Sequence, residues 1–170
     1  MMKPGVKGWA EFSEEDLPRC RFALGRVWEE SKGLALYSGL NPSRAGADTD
    51  DMTVTKGMGF ARAWGLGGTI HVNAYPFITP YPSLLGHCTE AEIERNDKRL
   101  VELAATARVV VLAWGAFPQF KERFWEVARL LAAFGPICVG RTADGYPKHI
   151  SRIGYATPRE PWIRSGVTVP

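Results

Sequence analysis

Five consecutive apolar residues, Val109-Val110-Val111-Leu112-Ala113, constrain the fold more than any other stretch. A β-branched run of this length suits a strand buried on both faces, as in a parallel sheet between helices. It stops at Trp114-Gly115. Runs of similar form lie at Leu34–Leu40, Thr69–Val72 and Pro136–Gly140. Helical patterns alternate with them. Met52 to Trp64 follows a fair N-cap, Asp51, and precedes a fair stop, Gly65. Gly57 and Gly59 weaken that helix, and glycines there can admit a close strand or ligand. Thr89-Glu90-Ala91-Glu92 is a capping box that opens a helix to about Ala107. Beyond Pro118, the residues Phe120, Phe124, Val127 and Leu131 form one helical stripe.

Strands alternating with helices predict a parallel sheet with helices on both faces. The strands are expected near residues 34–40, 69–73, 108–113 and 136–139. Arg19 to Trp28 reads as an edge strand or hairpin arm. The 170 residues are expected to form one domain. Residues 1–18 read as an irregular arm and residues 158–170 as an irregular tail.

Ligands of such sheets bind outside the carboxyl ends of the strands. Four strand ends release polar or aromatic material there: Asn41, Asn73, Trp114 and the loop 141–152. Pro42 restricts Asn41 towards an extended backbone. Asn41 is either a turn-former or a group aimed at a ligand. Asn73, ending a second strand, favours the second reading. An amide offers a donor and an acceptor together, as the edge of a nucleobase requires. Tyr75, Phe77 and Trp114 are either core aromatics or stacking partners for a flat ligand. Lys148 and His149 form either a solvated basic loop or a contact for negative charge. Asp48, Asp50 and Asp51 are either caps and solvated groups or oxygen ligands for a divalent metal. His71, inside a strand, reads as a satisfied core histidine.

Cys20, Cys88 and Cys138 form no CxxC pair, which argues against a disulfide framework or structural zinc. No P-loop, GxSxG elbow, HExxH or Rossmann fingerprint is present. The reading assigns no cofactor and no metal. A net charge of +3 permits an anionic partner without demanding one. No apolar run approaches the ~20 residues of a membrane span, and no signal-peptide region opens the chain. The expectation is a cytoplasmic protein with no membrane partner.

Several segments fall in one order: Arg21-Phe22-Ala23-Leu24 with Val27-Trp28, Leu40-Asn41-Pro42-Ser43, Asp50-Asp51-Met52-Thr53, Gly59-Phe60-Ala61-Arg62 with Trp64-Gly65, Val72-Asn73, Ala113-Trp114-Gly115 and Pro147-Lys148-His149. The series resembles a family of small bacterial and phage proteins known only as a domain of unknown function. More distantly, Gly39-Leu40-Asn41-Pro42 resembles the first catalytic motif of the mismatch-specific branch of the uracil-DNA glycosylase superfamily. Val72-Asn73-Ala74 looks like that superfamily's base-reading strand end. Val111-Leu112-Ala113-Trp114-Gly115, with Gln119 and Lys121, looks like its third core strand and the turn after it. His149 falls where a histidine meets the leaving base, although Ile150-Ser151 replaces the expected Pro-Ser.

The resemblance implies a three-layer α/β/α fold with a four-stranded parallel sheet and a pocket for a flipped base. It implies that Asn41 orients a water and His149 aids the departing base, so both would be catalytic. Asn73, with Tyr75, Phe77 and Trp114, would hold the base. Ser43, Arg44, Arg141, Lys148 and Arg152 would meet phosphate. The partner would be nucleic acid or a nucleotide, and the reaction hydrolysis of an N-glycosidic bond. A non-catalytic nucleotide or modified-base binder, and a metal-dependent phosphoesterase using Asp48, Asp50 and Asp51, are the alternatives.

Overall fold

The computed structural model describes residues 5–14, 16–43 and 45–162. Its strands are β1 (Lys7–Phe12), β2 (Arg21–Val27), β3 (Leu34–Gly39), β4 (Gly68–Asn73), β5 (Val109–Leu112), β6 (Ile137–Val139) and β7 (Arg159–Pro161). Its helices are α1 (Met52–Ala63), α2 (Glu90–Ala104) and α3 (Lys121–Leu131). All strands join one sheet in the order β1-β2-β4-β3-β5-β6-β7.

The α/β class holds, but the expected four-stranded parallel sheet does not describe the whole. The sheet is mixed and seven-stranded. Pairing is parallel from β4 through β3 and β5 to β6. An antiparallel hairpin, β1 with β2, extends one side, and antiparallel β7 extends the other. The stretches expected to be an irregular arm and an irregular tail thus each hold a strand, at residues 7–12 and 159–161. Both are outer strands, half-buried or exposed, so they lack the continuous apolar run that marks an inner strand. Of the two readings of Arg19 to Trp28, the hairpin arm holds: β2 pairs with β1, which takes the edge. Residues 1–4 of the expected arm and 163–170 of the expected tail lie outside the described residues.

Successive side chains of a strand face opposite sides. Leu36, Ile70, Val72, Val110 and Leu112 pack with Leu100 and Leu103 of α2 and with Phe124, Val127 and Leu131 of α3. Ala35, Tyr37, Val111 and Val139 pack on the other side, with Phe60 and Ala61 of α1 and with Ile150. The stripe residues Phe124, Val127 and Leu131 of α3 are thus buried, and Phe120, which caps its amino end, is half-buried. The caps form as expected. Asp51 accepts from the Val54 amide at 2.8 Å, and Thr89 and Glu92 close a capping box. Gly57 lets α1 approach β4 closely. A Cβ there would lie 2.6 Å from Cε1 of His71. Among the described residues, no helix is long and apolar enough to cross a membrane.

Candidate functional site

From β3 the chain crosses to β4 on one side, then returns to β5 on the other. At such a reversal the loops leaving the carboxyl ends part and open a crevice. A cleft of about 210 Å³ lies there. Gly39, Leu40 and Asn41 line it from the end of β3, Val72 and Asn73 from β4, and Ala113 from beyond β5. His149 closes another side, and Pro82 and Phe117 supply apolar surface from loops. The cleft brings Asn41, Asn73 and His149 together although the sequence separates them by more than a hundred residues.

The two amides differ in what they offer. Asn41 Nδ2 donates to the Thr79 carbonyl at 2.7 Å, and to Pro42 O at 3.2 Å. It ties down the loop that leads to Pro82, so its amino group is not available to orient a water. The orientation that satisfies the neighbours of Asn73 has Nδ2 donating to the carbonyls of Val72 and Asn41, each at 3.2 Å. Its Oδ1 remains as the acceptor. Gly39 makes room for this amide, since a Cβ would come within 2.9 Å of it. His149 Nδ1 accepts from the Ser151 amide at 3.3 Å and lies 2.7 Å from Ser151 Oγ. An amide N–H can only donate, so the neutral ring carries its proton on Nε2. Burial lowers the His149 pKa, with Asp51 opposing and Arg152 assisting.

The acidic residues go to different places. Asp48 is exposed, and Asp50 pairs with Arg26 at 2.7 Å. Asp51 alone lines the cleft, where it caps α1 and accepts from Ser43 Oγ. Burial would raise its pKa. The bonds from Ser43 and Val54, with His71 and Arg21 nearby, outweigh that and hold it below the ordinary carboxylate value. Asp51 is therefore ionised at neutral pH. Among the described residues, no three His, Cys, Asp or Glu side chains are placed to hold a metal ion. The metal-dependent phosphoesterase reading loses its ligand cluster.

Of the expected stacking residues, Trp114 lines the cleft and Tyr75 and Phe77 do not. The Trp114 ring is fully buried and stacks on Phe124, with centroids 4.7 Å apart. Tyr75 meets Phe120 edge-on, and Phe77 lies under the Arg19 guanidinium at 5.1 Å. Tyr75 and Phe77 are absent from the cleft lining. Arg141, Lys148 and Arg152 also lie outside it, Arg141 over Trp162 and in contact with the Pro161 carbonyl at 2.9 Å. Of the expected phosphate ligands only Ser43 lines the cleft, and Arg44 lies outside the described residues.

Sequence reasoning missed several cleft residues, Arg21 and His71 among them. His71 is buried, stacks on Tyr37 at 5.3 Å, and has no partner at Nε2. Burial and the nearby Arg21 pull its pKa from 6.5 to about 3, against Asp51. Arg21 is 3% exposed. Its Nη1 donates to Ala45 O and, at 3.4 Å, to Ser43 O. Its Nε has no partner. Burial draws its pKa down to about 10, which leaves it cationic at neutral pH.

No curated protein sequence matches the chain. Among solved structures, it shows a likeness to the hetero-hexameric glutamate dehydrogenase of Thermus thermophilus in a Leu-bound form, at 13% identity and a TM-score of 0.35. The match covers 77% of this chain and 34% of that one, and it carries no argument. The sequence also matches, over residues 21–149, the model of a family described as a protein of unknown function, DUF1643. The chain belongs to that family.

Proposed function

We propose that the cleft binds a nucleobase, carried by DNA or by a nucleotide, and that the protein hydrolyses its N-glycosidic bond in the manner of the uracil-DNA glycosylase superfamily. One observation carries the reading: Asn73, His149 and Asp51 line a single cleft at the strand reversal. Asn73 Oδ1 accepts from an N–H on the base edge. His149 Nε2–H donates to the base as negative charge develops on it. Asp51 is the ionised group beside the sugar. It orients the attacking water and opposes the positive charge of an oxocarbenium-like state. Water adds to the anomeric carbon, the C–N bond breaks, the base leaves with the bonding pair, and the proton shed by the water passes by way of Asp51 to the departed base. Pro82 and Phe117, with Trp114, supply the apolar faces in place of Tyr75 and Phe77. Asn41 has a positioning role here, through Thr79.

That engagement of Asn41 favours a second reading, a base-binding module without turnover. Free-base release from duplexes and nucleotides carrying uracil or modified pyrimidines separates the two. The glycosylase reading expects release that Asp51→Asn abolishes while binding persists. Binding without release leaves the module, and absence of both removes the nucleobase reading.

A further inference from the structure

The Arg21 guanidinium is a buried cation with no carboxylate in ion-pair contact among the described residues. Its hydrogen bonds run through Nη1 to two main-chain carbonyls. Its Nε–H, an obligatory donor, is buried with no acceptor. Leaving such a donor unmade is costly, and native structures seldom do so without an ion, a water or a ligand to explain it. The Asp51 carboxylate acts on it electrostatically, but Asp51 is already engaged by Ser43 and by the Val54 amide. The amino end of α1 is capped by that same carboxylate, so the helix itself is not the open anion site.

The neighbours suit an anion. Thr53, in the first turn of α1, lines the cleft with Arg21. Both cleft histidines are neutral at pH 7, so Arg21 supplies the positive charge of the lining. The cleft, at about 210 Å³, is smaller than the ~300–1,000 Å³ of clefts for drug-sized ligands.

We propose that Arg21 is an anion-binding residue of this cleft, and that the ligand it selects is a nucleobase unit bearing a phosphate. The phosphate accepts from the guanidinium while the base meets Asn73 and His149. The inference rests on the nucleobase reading above and narrows it: uncharged bases and nucleosides are poor ligands. The phosphate belongs either to a free mononucleotide or to the nucleotide flanking a base in a single strand.

Isothermal titration of the full chain tests this with pyrimidine mononucleotides, their nucleosides, inorganic phosphate and a short single-stranded oligonucleotide. The expected result is that the mononucleotide binds at least tenfold tighter than its nucleoside. Inorganic phosphate should compete, and Arg21→Met should bring the nucleotide down to the nucleoside's affinity. Should that variant not fold, the nucleotide-to-nucleoside ratio of the natural chain decides alone. Equal affinities there overturn the proposal. Binding of phosphate that depends on Arg21, with no gain from an attached base, supports the anion site and removes the nucleobase reading. Nucleoside binding unaffected by phosphate does the reverse. An oligonucleotide that outcompetes the mononucleotide, with affinity falling as salt rises, assigns the phosphate to nucleic acid.

Discussion

Two buried arginines on one strand have opposite surroundings. Arg26, at the far end of β2, is fully buried, and every part of its guanidinium is engaged. Nε pairs with Asp50 at 2.7 Å, Nη1 meets Gly25 O at 2.8 Å, and Nη2 meets Gly46 O and Thr49 O at 2.6 and 2.9 Å. It holds the loop that carries the acidic cluster. Arg21, five residues earlier, lines the cleft and leaves Nε bare. Burial alone therefore does not distinguish a structural cation from a functional one. Completeness of the hydrogen bonding does, because an unsatisfied charge is tolerated only where something else supplies its partner.

The largest expected effect breaks the structural side of this comparison. Arg26→Met should destabilise the fold by about 3–5 kcal/mol, because it leaves Asp50 partly buried and unpaired. Urea denaturation measures it, and a loss under ~1 kcal/mol would show that the pair behaves as a surface salt bridge.

Next comes acid sensitivity at the cleft. The native imidazole of His71 titrates at about 3 rather than 6.5. Below pH 6.5 the unfolded chain therefore takes up a proton that the folded chain refuses, and stability falls with pH until about pH 3. One such group contributes a slope of up to ~1.4 kcal/mol per pH unit. His71→Phe should flatten the stability profile across that window. An unchanged slope would mean that His71 is protonated in the native state.

Asn41→Ala should cost about 1 kcal/mol, the worth of its bond to the Thr79 carbonyl. Hydrogen exchange should quicken in the 77–82 loop, and protection unchanged there would contradict the tie.

The smallest stability change sharpens the contrast most. Arg21→Met removes an unpaired buried cation at the expense of two bonds to carbonyls, so it should shift stability by no more than ~1 kcal/mol in either direction. A loss comparable to that of Arg26→Met would make both arginines structural.

How much of this was legible follows from what one-dimensional patterns encode. β3 to β6 stand near their expected positions because strands covered on both faces need continuous apolar runs. β1 depends on a tertiary match instead: Trp9 pairs across the ladder with Gly25, where a Cβ would meet its ring at 2.1 Å. Nothing in Lys7–Phe12 alone announces that. Asn41, Asn73 and His149 could be found because each follows the carboxyl end of an expected strand. Tyr75 and Phe77 meet other partners, Phe120 and Arg19, while Trp114 lines the cleft as it stacks on Phe124, and such side-chain directions are decided by neighbours distant in the chain. Arg21 reads in the sequence as one polar residue of a strand. Only the fold shows that its charge is buried beside the cleft.

The central claim is that a nucleobase occupies the cleft at the strand reversal, and amide chemical-shift mapping of the natural chain tests it without disturbing any residue. On titration with pyrimidine mononucleotides, the account predicts that perturbed amides concentrate at residues 39–43, 72–74, 113–117 and 149–151, with the outer strands β1 and β7 silent. Saturable shifts centred elsewhere, or none with any base-bearing ligand, would contradict it.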